Sequence, residues 1–344
     1  HRGAMLLVAV VIAIYGFGYI AVRHPKMRSS SMFATIAVLP AALIIFNVFM
    51  NDTLLVFFLF GFLIATERAF RRSNWDWGAI LLAGILFGLA LSTKYSIGIF
   101  YLGVVLYLLS FATGRRFLVT RFLVISVIAG LPFILNFAWN YNNCGVNLAF
   151  NFEFREIESS AFGLSYAVGT VVFILGPIPF FAARLLPEVW DNRPSRFFAG
   201  VFFATLVVIA IYAVSRGYFG LNWGVPLLAV AILALPEMLD ERASERLRKW
   251  SVGYSVVVML TVLVIFVGTA SGVLSLGKIV GENEAYPVNL DLDMSDGSLV
   301  ASIREHSEGR VVATASYGLT ASLDNHGVPE TTVFNGKVFG RNQD

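Results

Sequence analysis

Long apolar runs separated by short polar connections fill the chain from its start to about residue 274. A helix needs about 20 apolar residues to cross a hydrocarbon core of roughly 30 Å, and most of the runs are close to that length. The pattern predicts an α-helical polytopic membrane protein with about ten transmembrane helices. We place these helices at residues 4–23, 32–50, 53–70, 78–93, 95–112, 122–140, 162–183, 198–214, 221–237 and 251–274.

One apolar stretch contains a single lysine. Residues 78–112 carry no charge except Lys94. One continuous helix of this length would be on the order of 50 Å long, and a lysine at the bilayer centre costs roughly 3 kcal/mol. We therefore predict two short helices that meet at "STK", with Lys94 near a membrane interface. In the first helix, Gly84 and Gly88 have the small-xxx-small spacing that predicts close helix packing.

Residues 275–344 have a different pattern. "SDGSLVASIREHS" starts with the cap-like Ser295 and Asp296 and predicts a helix, and "YGLTASLDNHG" predicts another that ends at Gly327. "RVVATAS" and "TTVFN" predict strands. We therefore predict a transmembrane domain at residues 1–274 and a small extracytoplasmic α/β module at residues 275–344.

Composition narrows the class of protein. Of the 344 residues, 57% are hydrophobic and 14% are charged, which is too apolar for a soluble domain. The single cysteine, Cys144, excludes an internal disulfide framework, and the histidines lack the spacing of a metal site. The sequence contains no P-loop and no dinucleotide fingerprint. We expect membrane lipids as partners and no nucleic acid.

Basic residues occur in every second connection between the predicted spans. They are Arg23, Lys26, Arg28, Arg68, Arg71, Arg72, Arg115, Arg116, Arg121, Arg184, Arg193, Arg196, Arg242, Arg246, Arg248 and Lys249. An excess of lysine and arginine marks cytoplasmic connections. The alternate connections hold Arg2, Lys94, Arg155 and Arg216, so we predict that they and the carboxyl-terminal module face the extracytoplasmic side.

The connections predicted to lie outside carry polar and aromatic residues that are candidates for a shared site. These candidates are Asn51, Asp52, Lys94, Tyr95, Asn140, Arg216, Asn222 and Trp223. Asp52 opens a span, so it is a helix cap, a site residue or both. Lys94 is either an interfacial anchor or a point cation for a phosphate. Trp223 fits an aromatic interfacial belt as well as a substrate contact.

Five segments of the chain form a familiar ordered set. They are "MNDTLLVFFLFGFLIATERAF", "GILFGLALSTKYSIGIF", "LPFILNFAWNYNN", "LNWGVPLLAVAIL" and the terminal "ASYGLTASLDNHGVPETTVFNGKVFGRNQD". In the same order, they resemble segments of the polyprenyl-phosphate-sugar-dependent glycosyltransferases of the GT-C superfamily. This superfamily includes protein mannosyltransferases and lipid A aminoarabinose transferases. The resemblance implies an inverting membrane glycosyltransferase of the prokaryotic plasma (inner) membrane. It would move a sugar from a polyprenyl-phosphate carrier to a lipid, glycan or protein acceptor on the extracytoplasmic side.

The resemblance also implies roles for particular residues. Asp52 matches an acidic position in an outer loop, and Lys94 matches a lysine near the carrier phosphate. Asn222 and Trp223 match an Asn-Trp pair before a late span. We therefore expect Asp52 and Lys94 to be catalytic. The other expected substrate contacts are Asn51, Tyr95, Asn140 and Arg216.

The chain departs from the family pattern at both ends. The family's first outer loop, with its catalytic base, would lie upstream of His1, and the pattern also ends early at Asp344. We expect this chain to hold the scaffold and the donor site, and to be inactive without the upstream loop. No cofactor is required by the sequence; a divalent ion near Asp52 is an open alternative.

Two other functions fit parts of the sequence. A transporter or flippase for a lipid-linked or anionic substrate would line a passage with polar groups at mid-span and would often show a repeat. The charges instead gather at the connections. A structural membrane subunit that presents the carboxyl-terminal module is the third alternative.

Overall fold

The computed structural model describes a large part of the chain. The described residues are 11, 14, 18–19, 21–23, 35–40, 42, 50–71, 74–110, 116–142, 163–184, 196–216, 219, 221–271, 301, 303, 305, 312–314 and 331–333. They form the compact units His1–Met259 and Leu260–Asp344, and each is described by itself. The predicted domain boundary at residue 274 stays a prediction.

Helices dominate the described residues. They are α1 (Met50–Arg71), α2 (Trp77–Thr93), α3 (Gly98–Leu109), α4 (Arg116–Asn142), α5 (Gly163–Leu175), α6 (Ile178–Ala183), α7 (Phe197–Arg216), α8 (Leu221–Gly224), α9 (Leu227–Met238) and α10 (Glu241–Ala270). A 3-10 turn covers Tyr95–Ile97, and helical positions also occur at residues 11–23 and 35–42 where these are described.

The predicted helix break at Lys94 is present. The helix α2 ends at Thr93, and Lys94 is extended, with φ −161° and ψ 122°. The Lys94 N–H still donates to the Ala90 carbonyl at 3.0 Å, so it closes α2. A new chain direction then starts with the 3-10 turn, whose Ile97 N–H donates to the Lys94 carbonyl at 3.2 Å. One apolar run therefore becomes two short helices, as its length requires.

The glycine pair in α2 packs against α4. A Cβ atom at Gly84 would lie 2.5 Å from Ile128 Cγ2, and one at Gly88 would lie 2.5 Å from the Ala129 carbonyl oxygen. Real Cβ atoms are almost never this close to a neighbour. The prediction of close packing at this small-xxx-small spacing is confirmed, and it fixes α2 along α4.

Three helices in the described part of the chain are long and apolar enough to cross a membrane. They are Phe117–Asn142, Phe197–Ser215 and Glu241–Gly268. Shorter apolar helices cover Trp77–Thr93, Tyr95–Leu109 and Leu227–Met238. The long span in α10 exposes large apolar side chains such as Val256, Leu260 and Phe266, as a lipid-facing helix does. An integral membrane protein is supported; the total of about ten spans stays a prediction.

The unit Leu260–Asp344 contains two short strands. The strands β1 (Val312–Thr314) and β2 (Thr331–Val333) pair in parallel, with Val312 opposite Thr331. Parallel neighbours need a connection of a dozen or more residues, and the two strands are separated by 16 residues in the sequence, 315–330. Both strands lie inside segments that the sequence predicts as strands. The complete α/β module stays a prediction.

Candidate functional site

A cluster of neutral polar side chains lies at the helix break. Tyr95 donates its hydroxyl hydrogen to Asn136 Oδ1 at 3.0 Å, and Asn140 Nδ2 lies 3.1 Å from the same oxygen. Asn140 Nδ2 also lies 3.4 Å from the Tyr95 hydroxyl oxygen. Asn136 Nδ2 donates to the Ser92 carbonyl at 3.4 Å, across the break. We call Ser92, Tyr95, Asn136 and Asn140 the amide cluster.

The helix α4 supplies the two amides from one face. Asn136 and Asn140 are four residues apart, so they are neighbours on the helix surface. Asn140 Nδ2 also donates to the Asn136 carbonyl at 3.0 Å, which holds its side chain along the helix. The Asn140 side chain is buried, and its Oδ1 has no hydrogen-bond partner in the described part of the chain. A buried acceptor of this kind costs about 1–3 kcal/mol until a donor reaches it.

The break also places a cation beside the amide cluster. Lys94 is half-buried and directly precedes Tyr95 in the chain. Ser92 donates its hydroxyl hydrogen to the Gly88 carbonyl at 2.9 Å, so the last turn of α2 is ordered up to the lysine. Tyr95 and Asn140 were both predicted as site residues, and the structure brings them into contact beside Lys94.

Helix directions bring the backbones of the other predicted residues to the same end. The helices α1 and α2 run antiparallel, since the Phe62 and Phe87 ring centroids lie 4.8 Å apart and Arg68 pairs with Asp76 at 2.9 Å. The first turn of α1, which contains Asn51 and Asp52, is therefore at the end of α2 where Lys94 lies. Asp52 lies inside this first turn and not at the cap, because α1 starts at Met50.

The helix α7 reaches this end as well. It runs antiparallel to α3, because Gly200 lies against the Tyr107 ring and Gly103 lies against Thr205. Its last residue, Arg216, and the following α8 with Asn222 are therefore on the side of the break. The side chains of Asn51, Asp52, Arg216 and Asn222 lie outside the described part of the chain.

Trp223 has a packing role that differs from an exposed interfacial belt. Its side chain is 8% exposed, and its ring lies 5.3 Å from Tyr212 and 6.3 Å from Phe219, measured between centroids. Thr170 donates its hydroxyl hydrogen to the Phe219 carbonyl at 3.1 Å, which ties this corner to α5. The contacts make Trp223 a support for α8, and its predicted substrate contact stays a prediction.

The opposite end of α2 is held by charges. Glu67 is 3% exposed and forms an ion pair with Arg23 at 2.7 Å and a longer one with Arg71 at 3.5 Å. The Tyr19 hydroxyl donates to the second oxygen of Glu67 at 3.3 Å. Arg121 is buried and donates to the Ala69 carbonyl at 2.7 Å. We call this region the basic end.

A second buried carboxylate belongs to the basic end. Glu237, near the end of α9, accepts a hydrogen bond from the Ala199 N–H at 2.9 Å, in the first turn of α7. The Tyr19 and Phe198 rings meet edge to face at 5.9 Å, so Glu67 and Glu237 belong to one contiguous region. The connections that contain Arg23, Arg71 and Arg121 meet here, together with the connection that leads into α7. This agrees with the prediction that the basic connections share one side.

Sequence reasoning missed several of these groups. Asn136 carries a signal that could have found it, because it is an asparagine inside an apolar run, four residues before Asn140. Glu67 and Glu237 each look like charges at the end of a span, and only the fold shows that they are buried. The described residues contain no group of three or more His, Cys, Asp or Glu side chains that could hold a metal ion.

Comparison with known families matches the part of the chain that contains the break. Residues 2–139 match the family model of dolichyl-phosphate-mannose-protein mannosyltransferases. The match supports the GT-C mannosyltransferase-like family. It covers about two fifths of the chain and includes Lys94, Tyr95 and Asn136. No curated protein and no solved structure matches the chain.

The match supports the family resemblance for the two motif segments that lie wholly within it, at residues 50–70 and 84–100. Together with the apolar helices, it supports an integral membrane glycosyltransferase of the GT-C type. The family implies, in general, a lipid-phosphate-sugar donor and a protein or glycan acceptor.

Proposed function

We propose that this chain binds a polyprenyl-phosphate sugar at the helix break and takes part in transferring the sugar to an acceptor on the extracytoplasmic side. The observation that carries the proposal is the position of Lys94. The break in the α2–α3 segment holds a lysine beside a cluster of neutral hydrogen-bonding groups, and the family match covers the same segment. A point cation next to amides suits a phosphate that is attached to a sugar.

The transfer needs one bond to form and one to break. An acceptor oxygen attacks the anomeric carbon, forms a new C–O bond and gives its proton to a general base, while the bond from that carbon to the phosphate oxygen breaks with inversion. The electron pair leaves with the polyprenyl phosphate, whose negative charge increases. A fixed cation stabilises this charge, and Lys94 has that role in the proposal.

The remaining proposed site residues have separate tasks. Tyr95, Asn136 and Asn140 offer hydroxyl and amide groups for the sugar hydroxyls, and the buried Asn140 Oδ1 is an acceptor that a sugar hydroxyl can satisfy. Asp52, in the first turn of α1 at the same end, is proposed to orient the acceptor or the sugar or to help remove the acceptor's proton.

Donor binding tests the proposal without requiring turnover. The purified chain in lipid nanodiscs is titrated with a polyprenyl-phosphate mannose, and Lys94→Met is compared with the parent chain. A charge-assisted contact is worth roughly 1.5–3 kcal/mol, so we expect affinity to fall about tenfold to a hundredfold. Lys94→Arg keeps the charge with a different shape and should retain part of the affinity.

A matched control removes an exposed cation elsewhere. Arg248→Met changes the net charge by the same amount on α10, where Arg248 is paired with Glu245. We expect it to bind the donor as the parent does. If Lys94→Met also binds as tightly as the parent, the phosphate role is wrong and Lys94 is an interfacial anchor.

A further inference from the structure

A groove of about 610 Å³ lies between the end of α5, the short helix α6 and the first half of α10. Val172, Gly176 and Phe180 line one wall, and Gly253, Tyr254 and Val257 line the other. All these residues belong to the unit His1–Met259. The groove takes no part in the proposed sugar-transfer site.

Two glycines and a tyrosine build the groove. Gly176 has φ +56°, a left-handed conformation that ends α5 and that other residues rarely adopt. The Tyr254 hydroxyl lies 3.0 Å from the Val172 carbonyl oxygen and 3.2 Å from that of Phe173, so it joins α10 to the end of α5. A Cβ atom at Gly253 would meet nothing within 4 Å, which leaves the space beside Tyr254 open. The opening is thus fixed by backbone geometry and hydrogen bonds.

The groove opens toward the outside of the helices. Phe180, Trp250 and Val257 are each more than 60% exposed at its rim. The second wall is part of Glu241–Gly268, which is long and apolar enough to span a membrane. A helix of this length and composition faces hydrocarbon in a membrane, and a lipid chain fits the apolar walls of the groove.

One face of α10 continues from the groove into a row of cations. Val257, Gly253, Lys249, Arg246 and Arg242 follow one another at spacings of three or four residues, so they share a helix face. Lys249 is 74% exposed, and its Nζ lies 3.9 Å from Glu245 Oε1, a long contact that leaves it accessible. Trp250, at the mouth, is of the type that marks a membrane interface. An apolar slot that ends in positive charge matches an anionic phospholipid.

We propose that the groove binds one acyl chain of an anionic phospholipid, with the lipid phosphate at Lys249. The donor lipid is excluded as the intended occupant because its phosphate is proposed to lie at Lys94, at the opposite end of the helices. The start of α10 follows directly on Glu237 and the basic end, where anionic lipids of a cytoplasmic leaflet would be attracted.

Native mass spectrometry of the chain, released from nanodiscs that contain equal amounts of phosphatidylglycerol and phosphatidylcholine, tests the proposal. Gly253→Leu adds a side chain at a groove position whose Cβ would meet nothing within 4 Å, and Gly130→Leu is the matched control. Gly130 is also a membrane-helix glycine whose Cβ would meet nothing within 4 Å. We expect Gly253→Leu to lower the bound phosphatidylglycerol at least tenfold, and Gly130→Leu to retain it.

A second pair of variants tests the charge. Lys249→Gln should lower the preference for phosphatidylglycerol over phosphatidylcholine about fivefold, the worth of one basic residue near an anionic lipid surface. Arg248→Gln removes the same charge from a residue that does not line the groove and should leave the preference unchanged. Val257→Trp blocks the groove from a different position and gives an independent check if Gly253→Leu lowers the thermal midpoint.

Three results would overturn the proposal. Equal lipid retention by Gly253→Leu and Gly130→Leu would show that the retained lipid is ordinary surrounding lipid and is not bound in the groove. Equal retention of both phospholipids by the parent chain would remove the role of Lys249. Displacement of phosphatidylglycerol by polyprenyl phosphate, lost in Gly253→Leu, would make the groove a site for the carrier's tail.

Discussion

The two ends of α2 are held by different chemistry. At the basic end, Glu67 is buried between Arg23 and Arg71, and Asp76 pairs with Arg68. At the break, the contacts join hydroxyl and amide groups. Lys94 is the one charged residue in the sequence from residue 78 to residue 112. These ends are about 25 Å apart along a helix of 17 residues.

This difference indicates separate roles for the two ends: the basic end contributes to stability, and the break is proposed to bind the donor. At the basic end, the ion pairs Arg23–Glu67 and Arg68–Asp76 join different segments of the chain, so they hold helix ends together. The break places a lysine directly before Tyr95 of the amide cluster, and the buried Asn140 Oδ1 of that cluster has no partner in the described part of the chain. We therefore propose the break as the end that binds a hydroxyl-rich phosphate ligand.

The largest expected difference between the ends is the side of the membrane that they face. With Cys144 replaced by serine, a cysteine at position 141 should react with an impermeant thiol reagent in intact cells, because Tyr141 is 79% exposed near the break. A cysteine at position 248 should react only after the cells are permeabilised. Labelling at 248 and not at 141 in intact cells would invert the proposed orientation.

A smaller effect concerns stability at the basic end. Glu67→Gln leaves the half-buried Arg23 without its charge partner, and breaking a buried pair by removing one partner costs up to about 3–5 kcal/mol. We expect a clear fall in the thermal midpoint of the detergent-solubilised chain. Glu245→Gln, at an exposed pair on α10, should change it little. Equal midpoints for Glu67→Gln and the parent chain would show that the ionic cluster does not hold this end.

Local features of the fold were predictable from the sequence. The break at Lys94 follows from the length of one apolar run, and the packing at Gly84 and Gly88 follows from the spacing of small residues. The shared end of the basic connections follows from their alternation along the chain. Each of these predictions depends on neighbouring residues or on the thickness of a membrane.

Long-range pairs were not predictable in the same way. Two such pairs are Arg23 with Glu67 and Ala199 with Glu237. The partners are far apart in sequence, and no local pattern around one residue predicts its partner. Asn136 was overlooked because its neighbours are apolar, and its role depends on Tyr95 from another helix. The position of Asp52 within its helix, and not at the cap, reflects a boundary that propensity places only to within a few residues.

The central claim is that the donor's phosphate lies at the break. Its most direct test is photo-crosslinking of the chain in nanodiscs with a polyprenyl-phosphate mannose that carries a diazirine on the isoprenyl unit next to the phosphate. We expect the crosslinked peptides to come from residues 92–98 and 136–142, and Lys94→Met to lose them. Crosslinks concentrated in residues 242–254, or unchanged in Lys94→Met, would contradict the claim.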